Sequence, residues 1–208
     1  MHPNPAFRKT PRDRNLNFAA QVGFGVLAVA DESGLPLLSH IPFVIEDDAA
    51  LFHLVRSNPI VARLAAPHPA RLAVSGPHSY VSPDWYGTAD QVPTWNYVAV
   101  HLTGMAEALP QTELRPMLDS LSHKFEAQLA PKPEWTSEKM TDGVMDRMMR
   151  QIVPFRLHIT DVQGTWKLAQ NKPEAARLAA SDGVAQFGMG SEVQALADLM
   201  RTPPPEQQ

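Results

Sequence analysis

Cysteine is absent from the 208 residues, which excludes disulfides, thiolate metal sites, iron-sulfur clusters and cysteine nucleophiles. Long apolar runs are missing too. The longest, Val22 to Ala30, falls well short of the roughly 20 residues that a membrane-spanning helix needs. No basic-then-apolar signal pattern opens the chain, so the sequence predicts a soluble, cytoplasmic protein. Basic clusters are lacking as well. The 18 Lys and Arg residues are scattered and the net charge is −4, which leaves no electrostatic footprint for nucleic acid and argues against direct DNA binding. Nucleophile-elbow, Walker and dinucleotide-binding glycine patterns do not occur. The eight histidines show no close His-x-His or His-x-x-x-His spacing, so no zinc site is expected. Chemistry is left to His, Ser, Tyr, Trp, carboxylates or a borrowed cofactor.

Proline, in contrast, is abundant at 20 residues, against an average of about 5%. Much of the chain must be short strands, turns and pinned loops. Hydrophobic residues at 44% and charged residues at 19% supply a real core, and the length favours one main domain. Thr10-Pro11-Arg12-Asp13 reads as a helix start. Apolar runs then predict strands at Phe24 to Ala30, Leu37 to Ile45 and Leu51 to Val55, joined by hairpin-length turns. Ser57-Asn58-Pro59 opens a second helix. Further strands are expected at Arg71 to Ser82, Trp95 to Met105 and Phe155 to Trp166. Between the last two, Leu114 to Phe125 and Val144 to Ile152 show helical spacing. In the first of these Pro116 calls for a late start or a bend, and the methionines at 140, 145, 148 and 149 read as core packing. Helices near Glu174 and Ser191 and a disordered Pro-rich tail complete the chain. Strands in meander, a helical pair, then a returning strand describe an α+β fold: a small antiparallel barrel with peripheral helices. The expected division is a domain over 1–185 and a C-terminal helix and tail over 186–208.

Several groups of residues offer chemistry. Arg56-Ser57-Asn58 lies where a strand ends and a helix opens, which suits an anion, although these three residues alone favour an ordinary Ser or Asn helix cap with an exposed arginine. A hairpin centred between Asp47 and Asp48 sets His53 opposite Pro42 and His40 diagonal to it. Those two histidines then face a ligand or merely close a sheet edge. The stretches Tyr80 to Tyr86 and Pro93 to Tyr97 gather aromatics with polar groups, as a flat ring system or a subunit interface requires. Trp166-Lys167-Leu168-Ala169-Gln170-Asn171-Lys172 ends the last strand with cations and amides, suited to a phosphate, a ring carbonyl or plain solvation.

Together, Ser39-His40-Ile41-Pro42-Phe43, His53-x-x-Arg56-Ser57-Asn58-Pro59, Gly76 to Tyr86, Val92 to His101 and Trp166 to Asn171 closely resemble the PaiB family. That family is described as FMN-binding negative transcriptional regulators and is similar to the split-barrel flavoproteins related to pyridoxamine phosphate oxidase. The resemblance implies an antiparallel split β-barrel, a homodimer with FMN at the subunit interface, and a regulatory or oxidoreductase role. By the same resemblance Arg56, Ser57 and Asn58 hold the FMN phosphate, while Ser39, His40, Ser79, Tyr80 and Trp166 face the isoalloxazine or its side chain. Asn96, Lys167 and Gln170 carry over on motif identity. The chain departs from the family pattern at Phe52, Ile60, Pro154 and Thr165. Heme-dependent piperazate synthases look like members of the same family, which implies heme b as the alternative cofactor with His53 as axial ligand. A regulator acting through a partner is the further alternative.

Overall fold

The structure, a computed structural model, describes residues 1–205. Its strands are β1 (Phe24–Ala30), β2 (Pro36–Pro42), β3 (Val44–Glu46), β4 (Ala49–Val55), β5 (His68–Val81), β6 (Thr94–Ala108), β7 (Ile152–Lys167) and β8 (Gly190–Ser191). The helices are α1 (Arg12–Val22), α2 (Pro59–Arg63), α3 (Leu114–Glu126), α4 (Val144–Met149), α5 (Glu174–Phe187) and α6 (Val193–Arg201). One sheet takes the order β2-β1-β5-β6-β7-β4-β3, with β8 beside β5. The chain divides into two units: the first comprises 1–22, 74–101 and the chain from Val162 on, the second 23–73 and 102–161.

In the second unit β1 buries Gly25, Leu27 and Val29 on alternate positions, the period of a half-buried strand. It pairs antiparallel with β2 from Phe24↔Pro42 to Ala30↔Pro36 and with β5 from Val26↔Ala73 to Val29↔Ala70. The expected strand over 37–45 is two strands. Pro42 has no N–H to continue a ladder, and the next amide, Phe43 N–H, donates to Gly23 O at 2.8 Å. From there β3 pairs instead with β4, Val44↔Leu51 to Glu46↔Ala49. The other edge of β4 meets β7 from Ala49↔His158 to Val55↔Ile152. Phe52 and Phe155 face each other in that ladder and stack at 5.6 Å.

Helix α3 lays Met117 and Leu121 against Val44 and Leu51. It does not start late: Pro116 is its third residue, inside the first turn, where an N–H has no intrahelical partner to lose. The methionines correct another expectation. Met140, Met145 and Met149 are only half-buried and Met148 is 56% exposed, because α4, a helix of 6 residues, is too short to lay an apolar stripe on the sheet. At Gly104 a Cβ would stand 1.7 Å from His158 O, so β6 and β7 approach there only with glycine.

The first unit gathers Val81, Val98, Trp166, Leu168, Ala180, Val184, Leu196 and Met200 into one core. Alanines at 176 and 180 and Gly183 thin one face of α5. A Cβ at Gly183 would stand 2.5 Å from the Trp85 ring. The expected division at 185 falls inside α5, and its Val184 shares a core with Leu196, Ala197 and Met200 of α6. Of the expected tail, Pro203 and Pro204 lie beside Ala6 and Gln170, and residues 206–208 fall outside the described residues. No helix among the described residues is long and apolar enough to cross a membrane.

Candidate functional site

In the second unit β4 ends in a corner that fixes Arg56 from three directions. Its N–H donates to Gln151 O at 2.8 Å. Its side chain donates from Nε to Arg150 O at 3.1 Å and from Nη2 to Ile152 O at 3.3 Å. A guanidinium has more N–H groups than those contacts use, so Nη1 has no partner among the described residues. Asn58 is the cap of α2: its Oδ1 accepts from Ile60 N–H at 2.9 Å and its Nδ2 donates to Ser39 Oγ at 3.1 Å. Two separate sequence blocks, around Ser39 and around Asn58, thereby meet.

The helix start does not present a row of free amides. Asn58 N–H donates to Val55 O, Pro59 has none, and Ile60 N–H is capped. What the corner offers an anion is Arg56 Nη1 with the exposed Ser57.

His40 and His53 are not brought into one ladder. The hairpin is centred between Asp47 and Asp48 as expected, but the ladder stops at Val44↔Leu51. His53 therefore stands opposite Pro154 rather than Pro42, which belongs to the β1 ladder. His40 pairs with Val26 and lies exposed, its ring stacked on Phe24 at 6.3 Å. His53 is half-buried, and its Nδ1 is enclosed without a hydrogen-bond partner. Burial holds its pKa below the ordinary 6.5, so the ring is neutral at pH 7.

In the first unit the predicted residues are largely bound to one another. Ser79 is fully buried and donates from Oγ to Tyr80 O at 2.8 Å. The Tyr80 ring, half-buried, meets Trp85 and Trp95 edge-on, each at 6.5 Å. Trp166 is 3% exposed. Its Nε1 donates to Asn15 Oδ1 at 2.7 Å, Phe18 meets its ring edge-on, and Arg14 lies over its face. Within the chain it is a core residue. Gln170 also works internally, donating from Nε2 to Trp166 O and Ala6 O while its Oε1 accepts from Leu168 N–H. Asn96 is buried beside Met200 Sδ. Lys167 donates to Thr94 Oγ1 and to Trp95 O. Asn15, which orients Trp166, escaped the sequence reading. The one sign of it is an amide in the middle of a helix, where such a residue is disfavoured unless it has work to do. Among the described residues no cluster of acids and histidines could hold a metal ion.

The antiparallel split barrel with peripheral helices is the class that this fold defines. The FAD and heme binding protein of Mycobacterium smegmatis shares it at a TM-score of 0.58 and 18% identity, over 77% of this chain and 73% of that chain. The flavocytochrome Anf3 of Azotobacter vinelandii shares it at 0.55 and 14%, over 80% and 72%. A family model described as "Putative FMN-binding domain" matches residues 1–161. The protein of Bacillus subtilis named "Protease synthase and sporulation protein PAI 2" is 32% identical over 172 residues, 81% of each chain. The chain belongs to this FMN-binding domain family and is of the PaiB type.

Proposed function

We propose that the chain holds FMN with its phosphate against Arg56, Ser57 and Asn58, in a homodimer whose subunit interface receives the flavin ring. The observation that carries this reading is the state of Arg56. Two N–H groups tie the guanidinium to backbone carbonyls, leaving Nη1 held in place for an anion, which lowers the ordering cost of binding. Asn58 and Ser39 brace the same corner, and His40, exposed in the same unit, is the candidate for the ring. Bound flavin supplies electron or hydride transfer. The chain's own part is to fix the phosphate and shield the ring. A cytoplasmic regulatory or oxidoreductase role completes the proposal, and a regulator of this charge acts through a partner rather than on DNA.

A second reading, heme b held by His53, is favoured by one observation. The imidazole is kept neutral by burial, as a metal ligand requires. Against it, axial histidines ordinarily donate their second ring N–H to an acceptor, and Nδ1 has none here.

Visible absorption of the purified protein, taken after adding FMN and heme separately and passing each sample through gel filtration, distinguishes the two. A retained two-banded flavin spectrum in a dimer peak is the expected result, with cofactor and dimer lost together on dilution. A Soret band that disappears in His53→Ala, with no retained flavin, would replace the flavin reading by the heme one.

A further inference from the structure

The first unit carries a second cationic place. A pocket of about 190 Å3 is lined by Lys167, Lys172, Thr94, Asn96, Asn171 and the Tyr86 ring, among others. That is below the roughly 300 to 1,000 Å3 of sites for drug-sized ligands, so it suits something smaller than a flavin. No acid lines it. The two ammonium groups have neutral partners: Lys167 donates to Thr94 Oγ1 and Trp95 O, while Lys172 donates to Gln91 Oε1 and lies 5.0 Å over the Tyr86 ring. Among the described residues neither meets a carboxylate. Two like charges gathered on one partly buried wall repel each other, and both burial and Lys172 hold the Lys167 pKa below its ordinary value. An anion between them relieves that repulsion and adds charge-assisted hydrogen bonds. The amides of Asn96 and Asn171 and the Thr94 hydroxyl add polar groups without adding charge.

We propose that this pocket binds a small dianion, a phosphate monoester or a dicarboxylate, between Lys167 and Lys172. Lys167 then belongs to this pocket and not to the flavin.

Calorimetric titration of the full chain with inorganic phosphate and, separately, with malonate tests the assignment, on protein loaded with FMN to fill the Arg56 corner and freed of unbound FMN by gel filtration. At least one of the two should bind at millimolar concentration or tighter, and the tighter one identifies the ligand class. Lys172→Gln should weaken that binding at least about tenfold. Asn171→Asp, an exposed change that puts a negative charge at the rim, should weaken it by a similar factor. FMN affinity should be unaltered in both variants, which separates failure here from failure of the flavin reading. Absence of heat from both anions, or equal binding by wild type and Lys172→Gln, overturns the proposal.

Discussion

The two units treat their buried polar groups in opposite ways. In the first, Asn15 and Trp166, Ser79 and Tyr80, and Gln170 with three backbone groups are joined internally. In the second, His53 Nδ1 and Arg63 Nε are enclosed without partners among the described residues. A paired polar network rigidifies a scaffold, whereas an unmatched donor or acceptor costs stability unless something else meets it. Of the residues that the resemblance nominates in the second unit, His53 alone keeps an enclosed polar atom without a partner among the described residues, while Asn58 and Ser39 are joined to each other. Several in the first, Trp166 and Gln170 above all, hold the unit together.

The sharpest way to break this contrast is in the first unit. Asn15→Ala should cost about 2 kcal/mol in urea unfolding, because it strands the buried Trp166 N–H. An unchanged midpoint would show that the pairing is not structural. Next in size, Arg56→Ala should raise the FMN dissociation constant at least about tenfold, about 1.4 kcal/mol. Its own stability should stay within about 0.5 kcal/mol of wild type, since the side chain is exposed. Equal FMN affinity would remove Arg56 from the phosphate site. With no cofactor present, His53→Leu should move stability the other way, up by about 1 kcal/mol, by removing an unpartnered buried nitrogen. A loss of stability there would mean that Nδ1 has a partner in solution.

The smallest effect is a pH dependence. His53 has a folded-state pKa below the 6.5 of the free side chain, so between those values the unfolded chain takes up the proton and the folded one does not. Its share of stability is complete above pH 6.5 and is lost as the pH falls through the folded pKa. Cofactor-free protein should therefore lose stability on acidification over that range, and His53→Leu should flatten the curve.

Much of this was readable from local pattern. A continuous apolar run marked β1, the acidic turn centred the β3–β4 hairpin correctly, and Asn58-Pro59 announced α2. What escaped was set by partners distant in sequence. The split at Pro42 depends on which carbonyl is available to the Phe43 amide. Arg56 is tied to Arg150 O across 94 residues and Trp166 to Asn15 across 151, and no spacing rule reports such pairs. The donors left over at a site follow only once those pairs are known. A motif can therefore nominate Trp166 and Arg56 alike, while the surroundings of each side chain separate a strut from a contact.

The dianion pocket has one more property. Asn4 and Phe7 form part of its wall, and the segment that carries them is fastened by His2 N–H to Thr165 Oγ1 and by Ala6 O to Gln170. Its ligand range is thus written partly in the first residues of the chain, outside every strand and α-helix. Substitutions at Asn4 or Phe7 would retune anion selectivity before they touched the sheet, which makes this segment a handle for engineering the pocket.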